Sequence, residues 1–147
     1  MGDFWAWAYS DVLININRAV FAEFIVGYAL GFTHDKTRRD WDCVDFRYNG
    51  KKMEVKATGF AQRWRQGKKR SAPSFDIQKK NVLHGGPDAE DGAQAVRSAD
   101  CYVFCIHTET DSTTANVLDL SKWKFLVIST ERINQIFGDQ KKAWRAA

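Results

Sequence analysis

Residues 41–64 read WDCVDFRYNGKKMEVKATGFAQRW, which predicts two antiparallel strands joined by a tight turn. The pair Asn49-Gly50 is a strong signal for a two-residue hairpin, because a type I′ turn needs positive φ at both central positions. The strands then cover about 41–48 and 51–58, and their register is set by the turn.

This register places Asp45 directly opposite Glu54, and Lys56 shares the Glu54 face because side chains alternate along a strand. Two opposed carboxylates repel each other unless a cation lies between them, so the pair predicts a divalent metal site with Lys56 beside it. Asp42 is the rival for the first carboxylate. In this register Asp42 faces Ala57 and points to the opposite side, but a one-residue bulge would reverse that choice.

The composition is that of a globular protein, with 147 residues, 44% hydrophobic and 27% charged, so we expect a single domain over residues 1–147. No apolar run approaches the ~20 residues of a membrane span, and the N-terminus lacks the basic region of a signal peptide. Cys43, Cys101 and Cys105 lie in strand-like contexts without metal-ligand spacing, which favours reduced thiols over a zinc site. We therefore expect a cytoplasmic protein without a membrane partner.

Positive charge is concentrated in and after the hairpin. The net charge is only +4, but residues 51–80 contain ten Lys or Arg and two acidic residues, Glu54 and Asp76. A basic segment beside a metal site predicts a nucleic-acid partner, although a solvated basic loop is the alternative. The candidate nucleic-acid-binding residues are Arg63, Trp64, Arg65, Lys68, Lys69, Arg70 and Gln78, and Trp64 could stack on a base.

A helix precedes the hairpin. The pattern predicts that Asn17 caps it, that it runs through VFAEFIVGYAL, that it ends at Gly31, and that it is largely buried. Glu23 lies inside this apolar segment, where a carboxylate is costly unless it is paired or bound to a metal. Glu23 is therefore a candidate third carboxylate, with an exposed stripe or a pair with Arg18 as alternatives. The aromatic segment 3–16 before it predicts a short helix that packs on the core.

Downstream, alternation predicts a strand at 74–79, and the dense β-branched and aromatic run CYVFCIH predicts a central strand at 101–107. KFLVIS predicts another strand at 124–129. A short helix is predicted at 93–98, and a C-terminal helix from Thr130 to Gly138. The order of elements predicts an α/β fold, with a central mixed sheet flanked by helices.

Phosphodiester hydrolysis needs a metal to polarise the phosphate and to lower the pKa of the attacking water. The predicted Mg²⁺ ligands are Asp45, Glu54 and the carbonyl of Val55, with Glu23 as a third carboxylate or a ligand of a second metal through water. Mn²⁺ suits the same oxygen donors.

The remaining catalytic candidates act on the water or the phosphate. Lys56 could hold or deprotonate the attacking water and offset the phosphate charge. Gln62 and Gln78 are candidates for orienting water or phosphate.

Asp45, then eight residues, then Glu54-Val55-Lys56, downstream of a helix that carries Glu23, resembles the PD-(D/E)XK nucleases of restriction endonuclease-like fold. The segments AEFIVGYALG, WDCVDF, MEVKATGFAQRW, ADCYVFCIH and LDLSKWKFLVIS extend the resemblance to a bacterial branch of that superfamily, over about 17–142. The resemblance implies an αβββαβ core, Mg²⁺-dependent endonuclease cleavage of nucleic acid, and metal ligation by the Asp and the Glu. The nucleic acid that we expect is DNA.

Two features depart from the superfamily pattern. Val44 stands where Pro often precedes the first Asp, and the QxxxY element of some branches is absent, since Gln94 is followed at the fourth position by Ser98. Two other interpretations stay open: a catalytically inactive module that binds nucleic acid on the same fold, and a structural α/β protein whose charges form a surface salt-bridge network. A homodimer is a further expectation, because two sites cut both strands of a duplex most simply.

Overall fold

The computed structural model describes residues 1–32, 38, 44–63, 72–80 and 95–143. A single 3₁₀ turn, Leu120–Lys122, precedes the fifth strand. In chain order, the other elements are α1 Gly2–Tyr9, α2 Asn15–Ala29, β1 Phe46–Tyr48, β2 Lys51–Gly59, β3 Phe75–Asp76, β4 Cys101–His107, β5 Trp123–Ser129, α3 Thr130–Phe137 and β6 Lys142–Ala143.

Four strands form the central sheet in the order β1-β2-β4-β5. β2 runs antiparallel to β1 and parallel to β4, and β5 runs antiparallel to β4. The sheet is therefore mixed, and β4 is one of its two inner strands, as its dense apolar sequence predicts. The predicted α/β class with a central mixed sheet is confirmed.

The hairpin follows its sequence signal. Asn49 and Gly50 have φ angles of 49° and 75°, and Tyr48 faces Lys51 while Phe46 faces Met53. The predicted register is confirmed for these pairs. The first strand is shorter than predicted, because its pairing stops at Phe46; residues 41–43 lie outside the described residues.

The third predicted strand does not join the central sheet. β3 instead pairs antiparallel with β6 in a separate two-stranded sheet. The predicted alternation is confirmed, since Phe75 and Ile77 are buried while Asp76 and Gln78 are exposed.

The prediction of a helix at 93–98 is wrong for residues 95–98, the part of this segment that the structure describes. Val96 forms an antiparallel bridge with Lys80, and the buried Arg97 side chain donates to the Ile77 carbonyl at 2.7 Å and to the Gly138 carbonyl at 2.9 Å. These contacts hold 95–99 in a non-helical path between β3 and the end of α3, so tertiary hydrogen bonds override the weak local helix signal.

The hydrophobic core has one part on each face of the central sheet. On one face α2 packs against β2 and β4 through Ala22, Val26, Val55, Val103 and Cys105. The opposite face carries Val44, Phe75, Ile77, Tyr102, Phe104 and Ile133, so α3 and the small sheet cover it. Cys101 and Cys105 are free thiols, and no helix in the described part of the chain is long and apolar enough to cross a membrane.

α2 begins earlier than predicted, at Asn15, with Ile14 as its N-cap residue. Asn17 is therefore not the cap, and its buried side chain instead donates to the Ala8 and Asp11 carbonyls. The stop at Gly31 is confirmed: its φ is 81° and its N–H bonds to Tyr28, an arrangement that glycine adopts without strain.

Both N-terminal helices are more exposed than predicted. Phe24 and Tyr28 on α2 are 51% and 58% exposed, and α1 contains no buried residue. The segment after α1 makes the core contact instead, through buried Leu13. The C-terminal helix is confirmed at α3, where the Ser129 hydroxyl caps the N-terminus and Gly138 ends it.

Candidate active site

Asp45 lies at the point where β1 leaves β2. In an uninterrupted ladder it would be the non-hydrogen-bonded partner of Glu54, but its N–H donates to the Met53 carbonyl at 3.1 Å. The Asp45 carboxylate then accepts a hydrogen bond from the Val55 N–H at 2.6 Å. The register predicted Asp45 as the strand partner of Glu54, and this prediction is wrong. The Asp45 side chain instead bonds to the edge of β2 beyond the point where the pairing with β1 stops.

Glu54 and Lys56 form an ion pair two residues apart on β2. Their side chains are 17% and 23% exposed, so the pair is mostly shielded from water. Both point away from α2, because Met53 and Val55 occupy the α2 face and side chains alternate. Glu54 lies beside Tyr102 on β4, and its negative charge together with burial raises the pKa of Tyr102 to about 12.

Asp45 carries an unfavourable charge in this setting. Burial, followed by the negative charges of Glu54 and Glu23, raises the pKa of Asp45 to about 7, against the opposing effects of the Val55 N–H and Lys56. The three carboxylates are thus electrostatically coupled around one edge of β2, and a cation placed there would relieve the repulsion.

Lys56 is held in its charged form. Burial alone would lower the pKa of Lys56, but Glu54, Asp45 and Asp76 outweigh it and raise that pKa above its ordinary value. A protonated ammonium stabilises negative charge and donates hydrogen bonds, but it cannot accept a proton. The geometry therefore favours the electrostatic role predicted for Lys56 over its role as a base.

Glu23 reaches this edge from α2, which packs on the opposite face of β2. Its carboxylate is paired with Arg38 through two hydrogen bonds, one from Nε and one from Nη2 at 3.0 Å. The hydrogen bond to Glu23 is the main cause that raises the pKa of Arg38, and Asp45 adds to it. Arg38 is therefore bonded to Glu23 and feels the charge of Asp45, and the alternative pair between Glu23 and Arg18 is not formed.

Sequence reasoning missed Arg38 and Asp76. Arg38 lies in the polar segment THDKTRRD, where its only signal is a paired arginine. Asp76 was noted only as one of two acids in a basic segment, yet its charge acts on both Lys56 and Tyr102.

The donor set is small. Among the described residues no group of three or more His, Cys, Asp or Glu side chains could hold a metal ion. The structure therefore does not join Glu23 to Asp45 and Glu54 in a three-carboxylate cluster. The Val55 carbonyl lies on the same edge of β2 as the Val55 N–H that binds Asp45, because a strand residue directs both groups to one side.

Gln62 takes part in a buried network. It is 7% exposed; its Oε1 accepts from Arg18 Nη2 at 3.1 Å, and its Nε2 donates to the Gly59 carbonyl at 3.0 Å. Arg18 is fully buried and also donates to the Ala61 carbonyl at 2.9 Å. Both polar ends of the Gln62 amide are thus used inside the protein, which suits a structural role better than the predicted orientation of water.

The predicted nucleic-acid contacts are only partly described. Arg63 is exposed and pairs with Asp11 at 2.8 Å, and exposed Gln78 follows Asp76, whose carboxylate accepts from the Gln78 N–H. The other candidates and the rival Asp42 lie outside the described residues: Trp64, Arg65, Lys68, Lys69 and Arg70.

Comparison with known proteins gives one family. The family model of bacteriophage T4 endonuclease IV matches residues 7–144, which is nearly the whole chain. The match includes the charged cluster, by which we mean Glu23, Arg38, Asp45, Glu54 and Lys56. No significant match is found among curated proteins or among solved structures.

Proposed function

Because this chain belongs to the bacteriophage T4 endonuclease IV family and is therefore a nuclease, we propose that it is a Mg²⁺-dependent endonuclease that hydrolyses phosphodiester bonds in DNA, with a PD-(D/E)XK active site at Asp45, Glu54 and Lys56. The observation that carries the proposal is the hydrogen bond from the Val55 N–H to Asp45. This bond holds the Asp45 carboxylate beside β2. On that strand, Glu54 and the protonated Lys56 flank Val55, and their side chains point away from α2.

The residues present fit a divalent cation. Burial, followed by the nearby charges of Glu54 and Glu23, raises the pKa of Asp45 to about 7, so a cation beside Asp45 would stabilise its charged form. Mg²⁺ binds through one or two carboxylates and keeps several waters, so Asp45, Glu54 and the Val55 carbonyl are a sufficient protein contribution. When bound, the ion would supply Lewis acidity at the phosphate and a water of lowered pKa.

The side chains divide the remaining work. The Lys56 ammonium stabilises the negative charge that develops on the phosphate and orients the attacking water by donation. The Val55 N–H holds the Asp45 carboxylate in place, and Arg38 holds Glu23 and adds positive charge where the DNA backbone approaches. Gln62 keeps the end of β2 in position through Arg18 and Gly59.

The basic segment supports a polyanionic substrate. Ten Lys or Arg between 51 and 80 outnumber the two acids, and one of these acids, Glu54, and one lysine, Lys56, belong to the site itself. Exposed cations of this segment, among them Arg63, which also pairs with Asp11, would contribute counterion release on DNA binding, which makes affinity salt-dependent. We include Trp64, Arg65, Lys68, Lys69, Arg70 and Gln78 in this proposed contact surface.

A cleavage assay tests the proposal. Linear duplex, circular, branched and single-stranded DNA are incubated with wild-type protein in Mg²⁺, Mn²⁺ or chelator, alongside Lys56→Ala and Lys51→Ala. Lys51 is an exposed lysine on the same strand and serves as the matched control. We expect cleavage only with metal, a loss of at least about 100-fold in Lys56→Ala, and near wild-type rates in Lys51→Ala. Undiminished cleavage by folded Lys56→Ala, or equal rates in chelator, would overturn the assignment.

A further inference from the structure

The two edges of the central sheet are built differently. β1 forms one edge with three residues that include Arg47, and short, charged edge strands resist pairing with other chains. β5 forms the other edge with seven residues, and Lys124 is its one charged side chain. Phe125, Leu126 and Val127 are 46%, 42% and 63% exposed. Within the described residues, Lys124 is thus the one feature of β5 that protects an edge strand.

An exposed aromatic face continues from β5 onto α2. We use that name for Phe24, Tyr28, Phe125 and Val127. Phe125 stacks on Trp123 at a centroid distance of 6.3 Å, and Trp123 contacts Phe21, which in turn stacks on Phe24. α2 packs over β2 and β4 and leaves Phe125 and Val127 beside it uncovered. The aromatic face and the apolar edge are therefore one continuous surface.

We propose that this surface is a homodimer interface, in which β5 pairs antiparallel with β5 of a second copy and the two aromatic faces meet side by side on one face of the joined sheet. Within the described residues, the outer edge of β5 pairs with no strand, so its backbone N–H and C=O groups can extend the sheet across a two-fold axis. Isologous pairing of this kind needs only one surface, because the same residues serve both copies.

The size of the surface fits a stable dimer. At 42–63% exposure, the aromatic face and Leu126, which lies on the opposite face of the same edge strand, together present on the order of 500 Å² of apolar area. A standard interface buries about 800 Å² per partner, and homodimer interfaces are roughly 65% apolar, which again gives about 500 Å². The segments 33–37, 39–43, 64–71, 81–94 and 144–147 contain few large apolar residues, so a second copy is the better source of cover.

Charge argues for the same occupant. The aromatic face contains no acidic or basic residue, and Lys124 lies at one end of β5, so a nucleic acid finds no row of cations there. β2 with Glu54 and Lys56 is separated from β5 by β4. Pairing through β5 therefore leaves the charged cluster of each copy open to substrate.

The test is the mass of the full chain in solution, measured by light scattering over a range of concentrations. We expect wild-type protein at twice 16.8 kDa, and a monomer for Val127→Glu, because a buried unpaired carboxylate at the two-fold interface is strongly unfavourable. Trp7→Glu is the matched control, since Trp7 is 85% exposed on α1 and outside the surface. It should stay dimeric.

A measurement without substitution accompanies the variants. Hydrogen exchange of the outer β5 amides in wild-type protein should slow at least about 10-fold between dilute and concentrated samples, because pairing protects them. A wild-type monomer at all concentrations, a dimer that persists in folded Val127→Glu, dissociation by Trp7→Glu, or β5 exchange independent of concentration would each overturn the proposal.

Discussion

Asp45→Asn should make the metal-free protein more stable at alkaline pH. Asparagine keeps an Oδ1 that can accept the hydrogen bond from the Val55 N–H, so the link that fixes β2 is retained. The substitution removes only the negative charge that Glu54 and Glu23 repel. A stabilising substitution in a candidate active site is the expected sign of a site built for a cation rather than for folding.

The size of the effect follows from the pKa. The folded-state pKa of Asp45 is about 7 and its ordinary value is 3.8. Because the folded state holds the proton more tightly, the wild type loses stability as pH rises from about 4 to 7, and the full penalty is present above pH 7. Roughly three pKa units at ~1.4 kcal/mol each give a penalty of the order of 4 kcal/mol at about pH 8, and under ~1 kcal/mol at about pH 4.

Urea unfolding in chelator at these two pH values measures it. Asp45→Asn should exceed the wild type by a few kcal/mol at about pH 8 and match it closely at about pH 4. Asp111→Asn is a control of opposite sign, because Asp111 is exposed and hydrogen bonds from Thr113 lower the pKa of its carboxyl. Equal stability of wild type and Asp45→Asn at about pH 8, or a less stable variant, would refute the proposed electrostatics.

Three further substitutions test the surroundings of the site. Arg18→Leu removes the buried donor to Gln62 and the Ala61 carbonyl, and should cost about 2–4 kcal/mol in urea unfolding; an unchanged midpoint would contradict it. In Gly59→Ala the new Cβ would lie 2.8 Å from Arg18 Nη1 and 3.3 Å from the His107 Cβ. Calorimetry should therefore show that the free energy of unfolding falls by about 1–3 kcal/mol. An unchanged stability would mean that the Arg18 side chain can move aside without cost. Arg38→Met removes the guanidinium that donates to the Glu23 carboxylate and should slow cleavage in Mg²⁺. Adding Glu23→Gln should restore stability in part, and strictly additive losses would exclude the coupling.

The hairpin could be predicted from sequence because its signals are local. Asn49-Gly50 requires one turn type, and that turn fixes the pairing of Tyr48 with Lys51 and Phe46 with Met53. The helix ends at Gly31 and Gly138 follow from the same kind of signal, a residue that tolerates positive φ. The runs CYVFCIH and KFLVIS likewise predicted β4 and β5 within one residue at each end.

The errors arise where tertiary contacts decide. Asp45 was placed by extending the ladder, but the chain turns off at Phe46 and the Asp45 side chain bonds to Val55 instead. The partner of β3 could not be read from its sequence, because β6 is only two residues long. Periodicity predicted a largely buried α2, yet Phe24 and Tyr28 are exposed beside the uncovered edge of the sheet.

For the candidate site, the sequence indicated a set of residues but not their arrangement. The sequence pointed to Asp45, Glu54 and Lys56, and the structure brings them to one edge of β2. The sequence could not reveal that α2 packs on the face of β2 opposite to Glu54 and Lys56, or that Arg38 donates hydrogen bonds to the Glu23 carboxylate. Such pairings join residues far apart in the chain, and a single sequence contains no period or spacing that encodes them.

The central claim is that Glu54 and its neighbours at the edge of β2 perform metal-dependent cleavage. The most direct measurement is the single-turnover rate of DNA cleavage by Glu54→Gln in Mg²⁺, compared with wild type at equal protein and with unfolding midpoints recorded for both. Our account predicts a folded variant whose rate falls by at least about 100-fold, because glutamine cannot supply the negative charge that a divalent cation requires. A folded Glu54→Gln protein that cleaves DNA at the wild-type rate would contradict the account.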